Sequence, residues 1–252
     1  MKKIRLTIFL LITSLFIHFA GIAIAETQQE LIFNTQNFPP FSYKIDGVVS
    51  GPVSEIIRGV CYEMNINCRF KLLDWSKAQK EVKEEKAHAM FVIGWNEKRA
   101  KWLHFTHSVV NTEYGFFVRS DDNFQYTRPE NINGTNVCVY GPSNTYKSLV
   151  KLSSHLNDVE ISMTKNSEIS FVNLADSKCD SVFSNKAVGV STINKLRLKT
   201  IKYAGSQRKF EYYIGFNKKL ISNEFVENFN STLKILNTNG VIGHILAMYD
   251  LR

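Results

Sequence analysis

The sequence predicts a two-lobed α/β protein with a ligand cleft between its lobes. Three observations carry that expectation. Strand and helix patterns alternate in two separate runs, each the size of a small lobe. Two extended, β-rich segments, TEYGFFVRS and FEYYIGFNKKL, lie after the first and the second run. Aromatic, arginine and small polar residues recur where the strands end, which is where open α/β sheets bind ligands.

The first 25 residues stand apart. Lys2, Lys3 and Arg5 precede the apolar run LTIFLLITSLFIHFAGIAIA, which closes on Ala23-Ile24-Ala25. A positive start, a short apolar stretch and an A-x-A exit make a secretory signal, with cleavage expected after Ala25. Thr13, Ser14 and His18 interrupt the run and argue against a membrane anchor, and Glu26 leaves no cysteine there for a lipid. No later segment is long and apolar enough to span a bilayer, so a soluble, exported product is expected, periplasmic and starting at Glu26. The formal charge of the chain is +8, and the leader holds three of the basic residues. The remaining charges are scattered, with no focused Lys/Arg block, so nucleic acid is not an expected partner. A positive balance still favours anionic ligands or surfaces.

The elements follow in order. ELIFNTQ reads as a strand over Leu31–Thr35, and Phe38-Pro39-Pro40-Phe41 stops it. SEIIRGVCYEMN places Ile56, Ile57, Val60 and Met64 at helical spacing, with Ser54 as N-cap and Glu55 in the first turn. CRFKLL is the next strand, SKAQKEVKEEKAH a polar helix opened by Ser76, and AMFVIG a third strand. This β-α-β-α-β order implies a parallel sheet. The rhythm restarts with the strand TNVCVY, the helix TYKSLVKLSSHL, the strand VEISMT, the helix NSEISFVNLADS and the strand DSVFSN. The extended FEYYIGFNKKL is followed by the helix SNEFVENFNSTLKILNTNG, stopped by Gly240, and by a last helix VIGHILAMYDLR. The two extended segments let the chain cross between lobes and return. The expected division is 26–111 with 211–252 as the first lobe and 112–210 as the second.

Four cysteines in an exported chain suggest disulfides. Cys61 and Cys68 lie seven apart, and a helix that ends near Asn65 and turns into a strand lets them bridge; the alternative is two buried thiols. Cys138 and Cys179 are far apart in sequence, and their pairing stays open. With no C-x-x-C and no histidine pair at ligand spacing, neither zinc nor any other cofactor is expected.

The strand-end rule collects Phe38 after the first strand, Trp75 after the second, and Gly94, Trp95 and Arg99 after the third. In the second run it collects Tyr140, Ser143, Asn144 and Thr145, then Asn185. Aromatic walls bury the body of a ligand, while a guanidinium and helix N-terminal N–H groups orient a carboxylate. Each residue also has a plainer role: Phe38 packing in a rigid turn, Trp75 capping the core, Arg99 pairing with Glu97, Ser143 and Asn144 capping the next helix. Catalysis has little support. Neither G-x-S-x-G nor a P-loop occurs, no histidine sits beside a nucleophile motif, and acids at strand ends are few.

On FPPFSY, GPVSEIIRGVCYEMNINC, NEKRAKWLHFT, GTNVCVYGPSN, CDSVFSN and YYIGFNKKL, the chain resembles bacterial periplasmic solute-binding proteins of the polar amino acid type. It is most similar to the histidine- and lysine/arginine-binding proteins of ABC transporters. The resemblance implies a type II periplasmic-binding-protein fold, a Cys61–Cys68 disulfide, and Arg99 gripping a ligand α-carboxylate. It also implies a small-molecule ligand, no cofactor, a monomer, and an inner-membrane permease and ATPase as partners. Two departures stand out. Phe91 and Val92 occupy a strand that small hydroxyl residues usually line, and Asn185 stands where an aspartate usually holds the ligand ammonium. A desolvated ammonium without a counter-charge is costly, so an amino-acid derivative, a small organic acid or an aromatic acid joins the candidate ligands, and ordinary cationic amino acids are expected to bind weakly or not at all. Two other uses of such a fold remain: presenting ligand to a membrane receptor, and a dehydratase-like periplasmic enzyme.

Overall fold

Residues 30–251 are described by the computed structural model; the expected leader and its cleavage site lie outside the described residues. The first strand, β1 (Glu30–Thr35), runs between two parallel neighbours, β4 (Asn67–Leu72) and β5 (Ala89–Ile93). Between them come a hairpin, β2 (Tyr43–Ile45) and β3 (Val48–Ser50), and two helices, α1 (Pro52–Glu63) and α2 (Trp75–Lys83). The hairpin turns on Asp46 and Gly47, both left-handed at φ 49° and 81°. Asp-Gly is the strongest short hairpin signal, and the strand–helix reading passed over it.

Helix starts differ from expectation at two places. Gly51, not Ser54, caps α1: Pro52 suits the first helical position, and Ser54 is buried one turn in, its Oγ donating to the Gly51 carbonyl at 2.8 Å. α2 begins at Trp75 after Asp74, ahead of Ser76, because Trp75 packs on the cluster of Val82, Met90 and Ile93.

After β5 a one-turn helix, α3 (Glu97–Ala100), leads to the short β6 (Leu103–Phe105) and the long β7 (Val110–Arg119). The second parallel set is β9 (Glu160–Thr164), β8 (Asn136–Tyr140) and β10 (Ser181–Asn185). It is connected by α4 (Asn144–Ser153) and α5 (Ser167–Ala175). An unanticipated helix, α6 (Lys186–Leu196), then precedes β11 (Ile201–Asn217), and α7 (Asn223–Thr238) and α8 (Val241–Met248) close the chain. α6 carries Val188, Val190, Thr192, Ile193 and Gly189, all weak helix formers. Tertiary packing selects the helix: Gly189 lies against the Phe117 ring so closely that a Cβ would overlap it.

The chain thus forms two half-sheets. The strand order is β4-β1-β5-β11-β7-β10-β8-β9, with β6 also on β11. Among the described strands only β11 serves both halves. Its Tyr213–Asn217 end pairs antiparallel with β5 and β6, and its Ile201–Tyr212 length pairs antiparallel with β7. β7 and β11 form one hydrogen-bonded ribbon, but the two extended segments read from the sequence meet in it only at Thr112 and Phe210: TEYGFFVRS otherwise pairs with Ile201–Lys209, and FEYYIGFNKKL mainly with β5 and β6. Each half has apolar clusters on both faces of its sheet. Phe33, Ile57, Phe91 and Phe229 fill one cluster, with Met90 and Ile93 in another; Phe116, Val139 and Leu149 lie opposite Phe117, Cys138 and Phe171. That is the alternation a pleated strand imposes on neighbouring side chains.

Two disulfides are formed. Cys61 at the end of α1 bonds Cys68 in β4 with Cα atoms 6.3 Å apart, and Cys138 in β8 bonds Cys179 with Cα atoms 5.9 Å apart.

Candidate functional site

A groove of about 1620 Å³ opens between the halves. Small-ligand pockets commonly occupy about 300–1,000 Å³, so this is a broad cleft rather than a closed cavity. Its walls are the turn after β5, the β7–β11 ribbon, one face each of α4 and α6, and the end of α8.

The turn after β5 is built around Arg99. β5 is wholly buried, and Val92 near its end is left-handed at φ 56°, a strained state for a β-branched residue. There the register with β11 slips, Ile93 facing Tyr213 and Phe91 facing Ile214, so Val92 is the extra residue of a bulge. Phe91 and Val92 both point into the core, while Gly94 reaches the cleft. Asn96 then caps α3 by accepting from the Arg99 N–H at 2.9 Å, and Arg99 Nη1 donates to the Gly94 carbonyl at 2.7 Å. The Trp75 ring centroid lies 5.6 Å from the guanidinium carbon. Burial lowers the Arg99 pKa from its usual value, but an arginine remains charged at any ordinary pH. Among the described residues no carboxylate pairs with it. A half-buried guanidinium with spare donors is suited to a ligand carboxylate.

The ribbon supplies Glu113, Tyr114, Arg208 and Tyr212. Burial alone raises the Glu113 carboxyl, but the hydrogen bond and charge of Lys186, with the Ser206 and Tyr203 hydroxyls, outweigh it and hold the pKa below the usual range. The Lys186 Nζ–Glu113 Oε1 distance is 3.1 Å. Glu211 accepts from the Tyr213 hydroxyl at 2.5 Å, which with burial pushes that phenol up to about 12. Burial raises the Tyr114 phenol, an effect that Thr145 and Arg208 partly offset. Arg208 stands over the Tyr114 and Phe210 rings at 5.6 and 5.7 Å.

α4 and α6 each turn one stripe to the cleft, polar on α4 and mixed on α6. Asn144, Lys147, Ser148 and Lys151 follow the i, i+3, i+4, i+7 spacing of one helix face, as do Ala187, Val190, Ser191 and Asn194. Asn185 is 2 % exposed and caps α6: its Oδ1 accepts from the Ala187 and Val188 N–H groups at 3.0 and 3.3 Å and from Thr112 Oγ1 at 3.2 Å. Its Nδ2 makes no hydrogen bond of full geometry. The neighbouring Tyr212 phenol is raised by burial and by Tyr114, with Asn185 a small opposing influence. Among the described residues no three acids, histidines or cysteines gather into a metal cage, and no helix is long and apolar enough to cross a membrane.

The profile of bacterial extracellular solute-binding proteins, family 3, matches residues 31–250, nearly the whole described fold. The chain belongs to that family. The family's α/β architecture and its role of capturing solutes outside the cytoplasm fit the two half-sheets and the groove between them. An arginine-binding periplasmic protein of Mannheimia haemolytica is 22% identical over 87% of this chain and 90% of its own length. An ancestral arginine-binding protein bound to arginine superposes with a TM-score of 0.69 at 19% identity, over 87% of this chain and 97% of its own. A histidine kinase sensor domain similar to periplasmic binding proteins superposes at 0.70 with 20% identity, over 88% and 96%. Identities this low show a shared fold and leave the ligand open.

In this solute-binding protein the sequence-selected residues fall into three groups. Gly94, Arg99 and Asn144 line the groove, as does Trp95, which is 56% exposed. Trp75, Ser143, Thr145 and Asn185 stand just behind it: Trp75 beside Arg99, Thr145 beside Tyr114, Ser143 capping α4 by accepting from the Tyr146 N–H at 3.0 Å, and Asn185 capping α6. Phe38 packs on Phe41 and Tyr212 while Pro40 meets the groove, Tyr140 is exposed outside it, and Phe91 and Val92 are core. Strand-end reasoning missed the ribbon residues and the α4 lysines. The i, i+4 pair of Lys147 and Lys151 is visible in NTYKSLVK, but it lies within a helix and away from any strand end.

Proposed function

We propose that this protein captures a small carboxylate-bearing solute (an amino acid, an amino-acid derivative or an organic acid) in the interlobe cleft and delivers it to an ABC permease. The observation that carries this reading is Arg99, fixed by the Gly94 carbonyl beside Trp75 and open to the groove without a protein carboxylate. In this reading Arg99, backed by Trp75, holds the carboxylate, Trp95 frames the body of the ligand, and Asn144 approaches from the other lobe with Ser143 and Thr145 behind it. The lobes are 26–111 with 211–252, and 112–210. The mature protein is a periplasmic monomer produced by cleavage after Ala25, which intact mass of the exported protein reads directly.

Binding is favoured over catalysis because the two carboxylates on the β7–β11 ribbon are engaged. Glu113 is held ionised by Lys186, which does not suit a general acid at neutral pH, and Glu211 accepts a hydrogen bond from the Tyr213 hydroxyl. Presentation of ligand to a membrane receptor is the second reading, favoured by the sensor domain of the same fold. Adjacent permease and ATPase genes, or a receptor gene, separate the two. A thermal-shift screen of amino acids and small organic acids on ligand-stripped protein tests the main reading; stabilisation by none of the carboxylates overturns it.

A further inference from the structure

The charges lining the groove are unequal and unevenly matched. Six cations, Arg99, Lys147, Lys151, Lys186, Arg208 and Lys209, face three acids, Glu113, Glu211 and Asp250. Of the cations, Lys186 alone has an ion-pair partner among the described residues. Lys147 and Lys151 sit one turn apart on the cleft face of α4, together with Asn144 and Ser148. Like charges at that spacing cost the helix some stability, and no acid of α4 offsets them. Arg208 adds a third positive group on the ribbon, its guanidinium oriented by the Tyr114 and Phe210 rings. A cleft lined by one sign of charge between low-dielectric walls concentrates the opposite charge. One carboxylate at Arg99 does not use this second cationic cluster.

Resting on the proposal that Arg99 receives a carboxylate, we infer that the ligand is a small dianion. Its second anionic group, a carboxylate or a phosphate ester, is received by Lys147 and Lys151 of α4 and Arg208 of β11. The same positive field opposes arginine, the ligand that the names of several relatives carry.

Calorimetry with matched probes tests this. Succinate, glutarate and adipate are compared with their monoamides, which keep the size and one carboxylate, and phosphoglycolate supplies the phosphate arm. The expected result is that the best diacid, or phosphoglycolate, binds on the order of 10-fold more tightly than the monoamides. The advantage shrinks as salt is raised, and whichever arm is tighter identifies the second group. In Lys147→Ala/Lys151→Ala, a double change at exposed positions, the ratio falls toward one. A wild-type ratio of one overturns the inference, including the case in which these lysines serve only to dock another protein. So does a ratio that the double variant leaves unchanged. The monoamides report on Arg99 alone. If Arg99→Ala weakens them while the ratio stays at one, the carboxylate reading stands and only the dianion falls. If no probe binds, both fall.

Discussion

The two sides of the cleft hold their positive charge in different ways. On the β5 side a single guanidinium is half-buried, tied to the Gly94 carbonyl and set against Trp75. On the α4 side lysines stand exposed on a helix face without partners among the described residues. An orienting contact needs rigidity, and Arg99 has it through the bulge at Val92 and the Asn96 cap. A field needs only charge in the right place, which exposed lysines supply at little desolvation cost. The difference teaches that the first side selects geometry and the second selects charge.

The largest test of this comparison is Arg99→Ala. Loss of a charge-assisted hydrogen bond of about 1.5–3 kcal/mol weakens the carboxylate ligand roughly 10- to 200-fold by calorimetry. Unchanged affinity would mean that the rigid side does not hold the ligand. Next is Asn185→Asp. Aspartate caps a helix as well as asparagine does, so the fold is retained, and a new carboxylate beside Tyr212 should move preference several-fold toward ligands bearing an ammonium. Competition between an amino acid and its des-amino acid reads the shift, and no movement would remove Asn185 from the site.

Closure gives a smaller signal. A ligand that touches both sides binds the closed state better, so saturating ligand should lower the radius of gyration in small-angle scattering; an unchanged value breaks the two-sided picture. The smallest effect is Glu113→Gln. Because the folded carboxyl titrates below its usual value, its stabilisation is complete above about pH 4.3, the unfolded value. It is lost as pH falls through the lower folded value. With Lys186 half exposed and screened, the wild type should exceed the variant by no more than about 1 kcal/mol at pH 7. Denaturant titrations should converge as the pH is taken below the folded value; a gap that persists there would show that the ion pair is not its source.

Much of the fold was legible because it rests on periodicity. The parallel sets around β1 and β8, the two extended segments and the C-terminal helices all follow from alternating patterns in the chain. α6 was not legible, since its β-branched residues and Gly189 favour other conformations until Phe117 is there to pack against. At the site, Arg99 was found because it follows a strand end. Phe91 and Val92 were placed in the cleft by resemblance, but the bulge turns both into the core, an outcome set by φ at one residue. Tyr114 and Arg208 depend on pairing between strands some ninety residues apart, which no local pattern encodes.

The position of β11 also bears on how the protein is made. It is the last strand in sequence, yet it lies between β5 and β7 in the sheet. Until residues 201–217 have been synthesised, β5 and β7 each present an open edge, a template for pairing with another chain. A nascent chain stopped between Asn185 and Ile201 therefore holds two unfinished half-sheets with no strand hydrogen-bonded to both. Aggregation of such fragments, and their protection by holdase chaperones, should end abruptly once the chain is long enough to include Asn217.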